Sequence, residues 1–256
     1  MTDPVAAAHA KLTLQAGLKT QELVGSDHPE QVRKAIAIHN QTVAAANSFH
    51  ALFCERHEGG KPADDHYEQD LLRAMILFSC SGLDATVKQL VRDSLESVIE
   101  RDEGAQGQFS TFIERRLKRG ATDDVERSGT GQTGPDYGLL ANILANPRPR
   151  EVLVDALVES LTANSMQSRD QLLKAAAQFA LTRDDVLADD GVTQAAFKAR
   201  NQLAHEMDID FRGDNQRRAR SYADMVHWSE NILQVGCQFI ERVSAKLGSV
   251  GSPSIG

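Results

Sequence analysis

An arginine and a histidine stand five positions apart in A-R-N-Q-L-A-H-E-M, residues 199–207. Histidine exchanges protons near neutral pH because its ordinary pKa is about 6.5. Arginine keeps its charge, and its planar guanidinium matches the oxygen atoms of a phosphate group. Arg200 and His205 therefore offer a group for proton transfer and a permanent cation within one short segment.

The spacing of these two residues does not by itself bring them together. On an ideal helix, positions five apart differ by about 140° in direction and about 7.5 Å in height. Arg200 and His205 converge only if the arginine turns back, if the helix ends or kinks near His205, or if a second copy faces the first across a two-fold axis. The alternative is structural: Arg200 pairs with a nearby carboxylate such as Asp184 or Asp185, and His205 lies in the last helical turn, where a cation suits the helix dipole.

The elements that carry this stretch are predicted to be helical throughout. The chain of 256 residues is 41% hydrophobic, and no alternation of apolar and polar residues lasts long enough for a strand. The length suffices for one large core. We therefore expect an all-α bundle of about seven or eight helices. Predicted helices cover residues 4–24, 28–57, 65–98, 109–119, 139–145, 149–164, 168–181, 190–206 and 215–247.

These helices divide into N-terminal helices at 1–57, which pack on the bundle, and a main domain at 65–247. The run from Ala74 to Cys80 is apolar nearly all round, which predicts the buried centre of the bundle. A segment rich in glycine and polar residues predicts a flexible loop at 120–138, and residues 248–256 predict a disordered tail.

Other patterns give little support for cofactor chemistry. The stretch G-T-G-Q-T-G (129–134) lacks the lysine and hydroxyl residue that a phosphate-binding loop needs directly after its last glycine. His39, His50 and His57 do not have the spacing that places two imidazoles on one metal ion, and we expect partly exposed helix residues there. No metal and no other cofactor is predicted.

Cysteine usage and hydropathy favour a cytoplasmic protein. The three cysteines lie far apart without a C-x-x-C pair, so neither a disulfide framework nor a zinc site is indicated. No stretch approaches the roughly 20 apolar residues of a membrane span, and the first residues lack a signal-peptide pattern. We expect a soluble chain with no membrane partner.

Two helices of the chain resemble the HEPN superfamily of helical RNA-cleaving domains. A-R-N-Q-L-A-H-E is similar to the family signature R-x-x-x-x-H, in which a polar residue, here Asn201, usually follows the arginine. The helix with the centre Ser81-Gly82-Leu83-Asp84-Ala85 resembles the RiboL-PSP-HEPN branch. The resemblance covers roughly residues 65–245.

This resemblance implies a helical bundle that dimerises, so that motif helices of both copies line one cleft and cut RNA without a metal. It implies that His205 is the general acid or base, that Arg200 stabilises the transition state, and that Asn201 orients or contacts the phosphate. Asp84 is a supporting polar group, or it has a structural role by bonding Arg200 or a backbone group.

The charge pattern agrees with a polyanionic substrate near the motif. The whole chain carries −8, which argues against non-specific nucleic-acid binding. Between Lys198 and Arg220, however, six basic and four acidic residues give a local +2. A second basic cluster precedes the predicted loop, although it could equally be a solvated face. Candidate RNA-binding residues are Arg212, Arg217, Arg218, Arg220, Arg115 and Arg116.

The predicted function is therefore a metal-independent endoribonuclease that leaves 2′,3′-cyclic phosphate ends, in a homodimer of the bacterial defence or toxin type. Such an activity must be restrained, which predicts an antitoxin or regulatory protein partner. Toxins of a smaller HEPN branch carry an inhibitory modification on a tyrosine where this chain has Met207, which puts that mode of silencing in doubt. Alternatives are a non-catalytic RNA-binding or dimerisation module and, less favoured, a regulatory partner of another gene product.

Overall fold

The computed structural model describes residues 18–19, 22–57, 66–128, 137–166 and 168–248, and over these residues the fold is all-α, as predicted. Nine α-helices and one short 3₁₀ turn (Gly25–Asp27) account for the regular structure of this part of the chain. The only pairing of β type within it is an isolated bridge between Ile209 and Arg217. The helices are α1 (Glu30–Arg56), α2 (His66–Arg101), α3 (Glu103–Ser128), α4 (Tyr137–Ala145), α5 (Pro149–Thr162), α6 (Arg169–Gln178), α7 (Arg183–Val186), α8 (Asp190–Glu206) and α9 (Tyr222–Gly248).

The 36-residue helix α2 forms the centre of the bundle and packs mainly on α1 and α9. One continuous apolar core joins α2 to all the other described helices except α4, with α1 as an integral part of it. Leu72, Met75, Ile76 and Cys80 are almost fully buried, as the apolar run predicts. Phe78 is an exception to the predicted burial, because it is 52% exposed and packs against Phe49 at the side of α1.

Two glycines allow α1 to approach its neighbours closely. A Cβ atom added at Gly82 of α2 would lie 2.1 Å from the side chain of Thr42, and one added at Gly236 of α9 would lie 3.0 Å from His39 Nδ1. The backbones of α2 and α9 therefore lie directly against side chains of α1, and a larger residue at Gly82 would overlap Thr42. None of the described helices is long and apolar enough to cross a membrane.

Several predicted boundaries differ from the structure. Helix α3 continues through Ser128, so 120–128 are helical rather than part of a loop, while 129–136 lie outside the described residues. Residues 18–19 and 22–24 of the predicted first helix are not helical; its other residues, 4–17 and 20–21, and the tail after Gly248 lie outside the described residues. The last helix begins at Tyr222 instead of 215, because the preceding residues form a tight turn.

The prediction that His39, His50 and His57 are partly exposed is wrong for two of them. His39 and His50 are each only 3% exposed, whereas His57 is partly exposed. His50 Nε2 lies 2.7 Å from the Tyr222 hydroxyl, which gives the buried imidazole a hydrogen-bond partner on α9. Burial lowers the pKa of His50 below its ordinary 6.5, and the negative charge of Glu230 opposes this change only in part.

We expect Gly82→Ala to destabilise the fold by about 1–3 kcal/mol, because the new methyl group overlaps the Thr42 side chain. The matched control is Gly107→Ala on the exposed side of α3, where an added Cβ meets nothing within 4 Å. There alanine should stabilise the helix by about 0.5–1 kcal/mol. Urea unfolding measures both changes, and stabilisation by both substitutions would contradict the close approach of α1 and α2.

Stability should fall in acid partly through His50. Its pKa is lower in the folded chain than in the unfolded chain, so the unfolded chain binds the extra proton as pH falls below 6.5. The contribution of neutral His50 to the free energy of unfolding is complete above pH 6.5. Below that pH it decreases by at most about 1.4 kcal/mol per pH unit. Urea unfolding at pH 7.5 and pH 5 should therefore show a smaller acid loss for His50→Gln than for wild type. In the exposed-site control His227→Gln, the loss of stability between pH 7.5 and pH 5 should equal that of wild type. Equal losses in all three proteins would contradict a contribution of His50 to the acid loss.

Candidate functional site

Helix α8 carries the R-x-x-x-x-H motif and presents one face to the core. Its buried residues Thr193, Ala196, Phe197, Ala199 and Leu203 recur at helical spacing. The helix starts at a capping residue, because the side chain of Asp189 accepts a hydrogen bond from the Val192 backbone N–H. The buried Asn231 of α9 donates to the Thr193 hydroxyl at 2.8 Å, which fixes α8 on the last helix.

Arg200 lies on the side of α8 that faces α2. Arg200 is half-buried. Burial of the Cys80 thiol on α2 raises the pKa of that thiol to about 12, and the positive charge of Arg200 opposes this increase. Its Nη1 donates to Asn201 Oδ1 at 3.0 Å. Asp184 and Asp185 pair with other residues, Arg183 at 2.9 Å and Arg242 at 3.8 Å respectively. The described structure therefore forms neither of these two pairs with Arg200, whereas the other half of the structural alternative, His205 in the last turn of α8, is what the structure shows.

His205 and Asn201 line an open cavity of about 1150 Å³ on the outer side of α8. His205 is exposed in the last turn of the helix, and Asn201 lies one turn earlier. Arg200 does not line this cavity. Within one chain, the structure thus links Arg200 to the cavity through Asn201 and leaves Arg200 and His205 on different sides of the helix.

The chain reverses at the end of α8 through a left-handed backbone at two successive non-glycine residues. Met207 has φ 51° and Asp208 has φ 62°, a region that side chains normally avoid. The Asp208 N–H donates to the Gln202 carbonyl at 3.0 Å, which closes the helix end. Such strained residues persist only where surrounding interactions hold them.

The interaction that holds this turn is a buried ion cluster around Asp208. The Asp208 carboxylate is fully buried and accepts from Arg73 Nε at 2.9 Å and from Arg220 Nε at 2.9 Å. Arg73 belongs to α2 and also donates to the Arg218 carbonyl at 3.1 Å. Arg220 further donates to Gln202 Oε1 at 2.9 Å. The cluster therefore ties the loop 207–221 to both α2 and the motif helix.

Three of the predicted RNA-binding arginines contact carboxylates of the chain itself. Arg217 binds Asp70 at 2.6 Å, Arg218 binds Glu206 at 2.8 Å, and Arg220 binds the buried Asp208. Burial alone would raise the pKa of Asp70, but hydrogen bonds from Arg217 and Arg73 outweigh it and lower that pKa. These arginines thus stabilise the loop, a role that the sequence prediction missed.

The remaining predicted basic residues are exposed in two places. Arg212 lies at the tip of the loop and lines the cavity of His205. Arg115 and Arg116 line a different, smaller cavity of about 170 Å³ with Lys174 of α6. Helix α6 contributes to both cavities, since Arg169 and Asp170 from its first turn line the larger one.

Asp84 has the structural role that was one of its two predicted possibilities. Its Oδ1 accepts from the Met166 backbone N–H at 2.8 Å and its Oδ2 from Lys88 Nζ at 3.0 Å. It bonds a backbone group, not Arg200, and it does not line the cavity of His205. The small-residue centre of α2 has a packing function, with Gly82 against α1 and Leu83 in the core.

The comparisons identify no relative of this chain: no family model, no curated protein and no solved structure matches it. Within the part of the chain that the structure describes, no group of three or more histidine, cysteine or carboxylate side chains is arranged to hold a metal ion.

Replacing the buried carboxylate should destabilise the protein strongly. Asp208→Asn keeps the size of the side chain but leaves Arg73 and Arg220 without their buried counter-charge, which costs about 3–5 kcal/mol. The matched control is the exposed Asp214→Asn in the same loop, where asparagine can still accept from the Gln216 N–H, and it should change stability by less than about 0.5 kcal/mol. Chemical denaturation measures both, and equal effects would contradict the structural role of the cluster.

Proposed function

We propose that this protein is a metal-independent endoribonuclease whose reaction takes place in the cavity of His205. The observation that carries the proposal is the position of His205 and Asn201 together on an open cavity, with Arg200 hydrogen-bonded to Asn201 behind it. Lys198 and Arg212 line the same cavity. The site therefore combines a group for proton transfer, an amide and cations that attract a phosphodiester.

The proposed reaction is attack of a ribose 2′-hydroxyl on the adjacent phosphorus. A base takes the 2′-hydroxyl proton as the new O–P bond forms, and an acid protonates the 5′-oxygen as the old P–O bond breaks. The products are a 2′,3′-cyclic phosphate and a 5′-hydroxyl. His205 performs one of the two proton transfers, and Arg200 stabilises the additional negative charge of the phosphorane.

A homodimer supplies the groups that one chain keeps apart. Arg200 and His205 of one helix lie on different sides of α8, so they do not meet on one phosphate within a single chain. The proposal requires a two-fold axis beside α8 that brings His205 of one copy and Arg200 of the other to the same phosphate. The proposal therefore includes a dimer in which both copies form the cleft.

The biological setting of the proposal is a defence or toxin-type protein in the cytoplasm. It rests on the resemblance of α2 and α8 to the HEPN domains. An unrestrained ribonuclease would damage the RNA of its own cell, so an antitoxin or regulatory protein partner belongs to the proposal.

A second candidate function is a non-catalytic RNA-binding or dimerisation module. The position of Arg200 against α2, outside the cavity, favours it. In that case Arg200→Ala and His205→Ala should each lower the melting temperature or dissociate a dimer, while wild-type protein cuts no RNA.

Purified wild-type protein should cleave single-stranded RNA in EDTA and leave 2′,3′-cyclic phosphate ends. His205→Ala should lower the cleavage rate by about 10²–10⁴-fold, because it removes a general acid–base group. His227→Ala provides a matched control, since it removes an exposed histidine of α9 that does not line the cavity. Full activity of the His205→Ala protein, prepared in parallel, would remove the proposal.

A further inference from the structure

Phe211 is a large aromatic side chain that the fold leaves in solvent beside the candidate site. It is 64% exposed, whereas Phe53, Phe179 and Phe239 are almost completely buried. It also lines the cavity that His205 and Asn201 line. A single exposed aromatic residue is common on a protein surface, so the feature that distinguishes Phe211 is its place in the lining of this cavity.

The loop holds Phe211 on a rigid turn. Asp210 closes this turn, because its N–H donates to the Gln216 carbonyl at 2.8 Å and its carbonyl accepts from the Asn215 N–H at 3.1 Å. An added Cβ at Gly213 would lie 2.8 Å from the Asp210 carboxylate, which shows how tight the turn is. The buried ion cluster at Asp208 anchors the start of the same loop. Phe211 is therefore presented by a preorganised backbone.

The lining of the cavity carries four basic and three acidic side chains. Arg169 binds both Asp170 and Asp190, and Arg218 binds Glu206 at 2.8 Å and lies 3.8 Å from Asp210. Lys198 and Arg212 also line the cavity, and among the described residues no carboxylate forms an ion pair with either. The cavity therefore suits a ligand that joins negative charge to a flat apolar group.

We propose that Phe211 is a stacking platform for an unpaired nucleobase, with Arg212 and Lys198 contacting the phosphates on either side of it. A base inside a duplex is already stacked on its neighbours, so this platform takes a nucleotide from a single strand. Stacking is tolerant of sequence, because every base has a π-face. This inference rests on the proposed function, since it names the form of RNA that reaches His205.

The test uses a fluorescein-labelled 12-nucleotide strand of 2′-O-methyl RNA, which cannot be cut because its 2′-oxygen is blocked. Fluorescence anisotropy with wild-type protein should give saturable binding. Phe211→Ala should weaken it about 5- to 150-fold, the loss that corresponds to one base–aromatic stack. Phe211→Trp should retain wild-type affinity within about threefold, because it keeps an aromatic face. Phe211→Leu, which is apolar without a π-face, should bind nearly as weakly as Phe211→Ala.

Three controls distinguish loss of stacking from other causes of weaker binding. Tyr137→Ala removes an exposed aromatic residue of α4 that does not line the cavity, and it should leave the affinity unchanged. The melting temperature of Phe211→Ala should equal that of wild type. A duplex of the same sequence should bind more weakly, with no effect of Phe211→Ala.

Three results would overturn the inference: no saturable binding of the strand by wild type, equal affinity of wild type and Phe211→Ala, or equal affinity of the Leu and Trp variants. If Phe211→Ala instead dissociates a dimer in sedimentation while the strand still binds equally, Phe211 is an anchor for a second copy. Failure of the proposed function is a separate result. Phe211-dependent binding of the blocked strand without cleavage of ordinary RNA would support the stacking platform and contradict the nuclease proposal.

Discussion

A single buried carboxylate, that of Asp208, holds the candidate site in place. Arg73 and Arg220 surround it at hydrogen-bond distance, and a charge without such partners would be too costly to bury. Because Arg73 belongs to the central helix and Arg220 also binds Gln202 of the motif helix, the ion cluster joins three parts of the chain. Three of the four described non-glycine residues with positive φ, namely Met207, Asp208 and Asn215, lie in the loop that it fixes.

This anchoring explains why one helix can contribute to both the core and the cavity. The buried face of α8 packs in the bundle, Arg200 faces α2, and His205 faces the open cavity beyond the last turn. The loop 207–221 reverses at that point and brings Phe211 and Arg212 back beside His205. Arginines in this loop therefore have two different tasks: Arg217, Arg218 and Arg220 bind carboxylates of the chain, and Arg212 is exposed at the cavity.

The sequence predicts the helices well because apolar periodicity is a local property. Helix α8 begins and ends at the predicted residues, since Asp189 supplies a capping side chain and the apolar positions recur at helical spacing up to Leu203. The start of α9 could not be placed from the same signals, because the turn closed by Asp210 uses left-handed backbone at non-glycine residues. Helix α3 likewise continues to Ser128, past residue 120, where glycine and polar residues suggest that a loop begins.

The long-range pairs of the site were not predictable, because Arg73 and Asp208 are 135 positions apart. One signal was present: Arg73 is the only charged residue between Leu71 and Leu83 of α2, and a buried arginine must find a carboxylate. The sequence does not say which of the 36 acidic residues this is. The exposed position of Phe211 had no signal either, since an isolated phenylalanine in a polar loop is compatible with burial under the loop.

The central claim is that RNA enters the cavity of His205, and NMR of the histidine side chains tests it most directly. The imidazole Cε1–H signal of His205, assigned by its loss in His205→Ala, is followed while the 2′-O-methyl strand is added to wild-type protein. The account predicts that this signal shifts in proportion to the bound fraction, while the signal of His227, which is exposed on α9 and does not line the cavity, does not move. A strand that binds without any change at His205 contradicts the account.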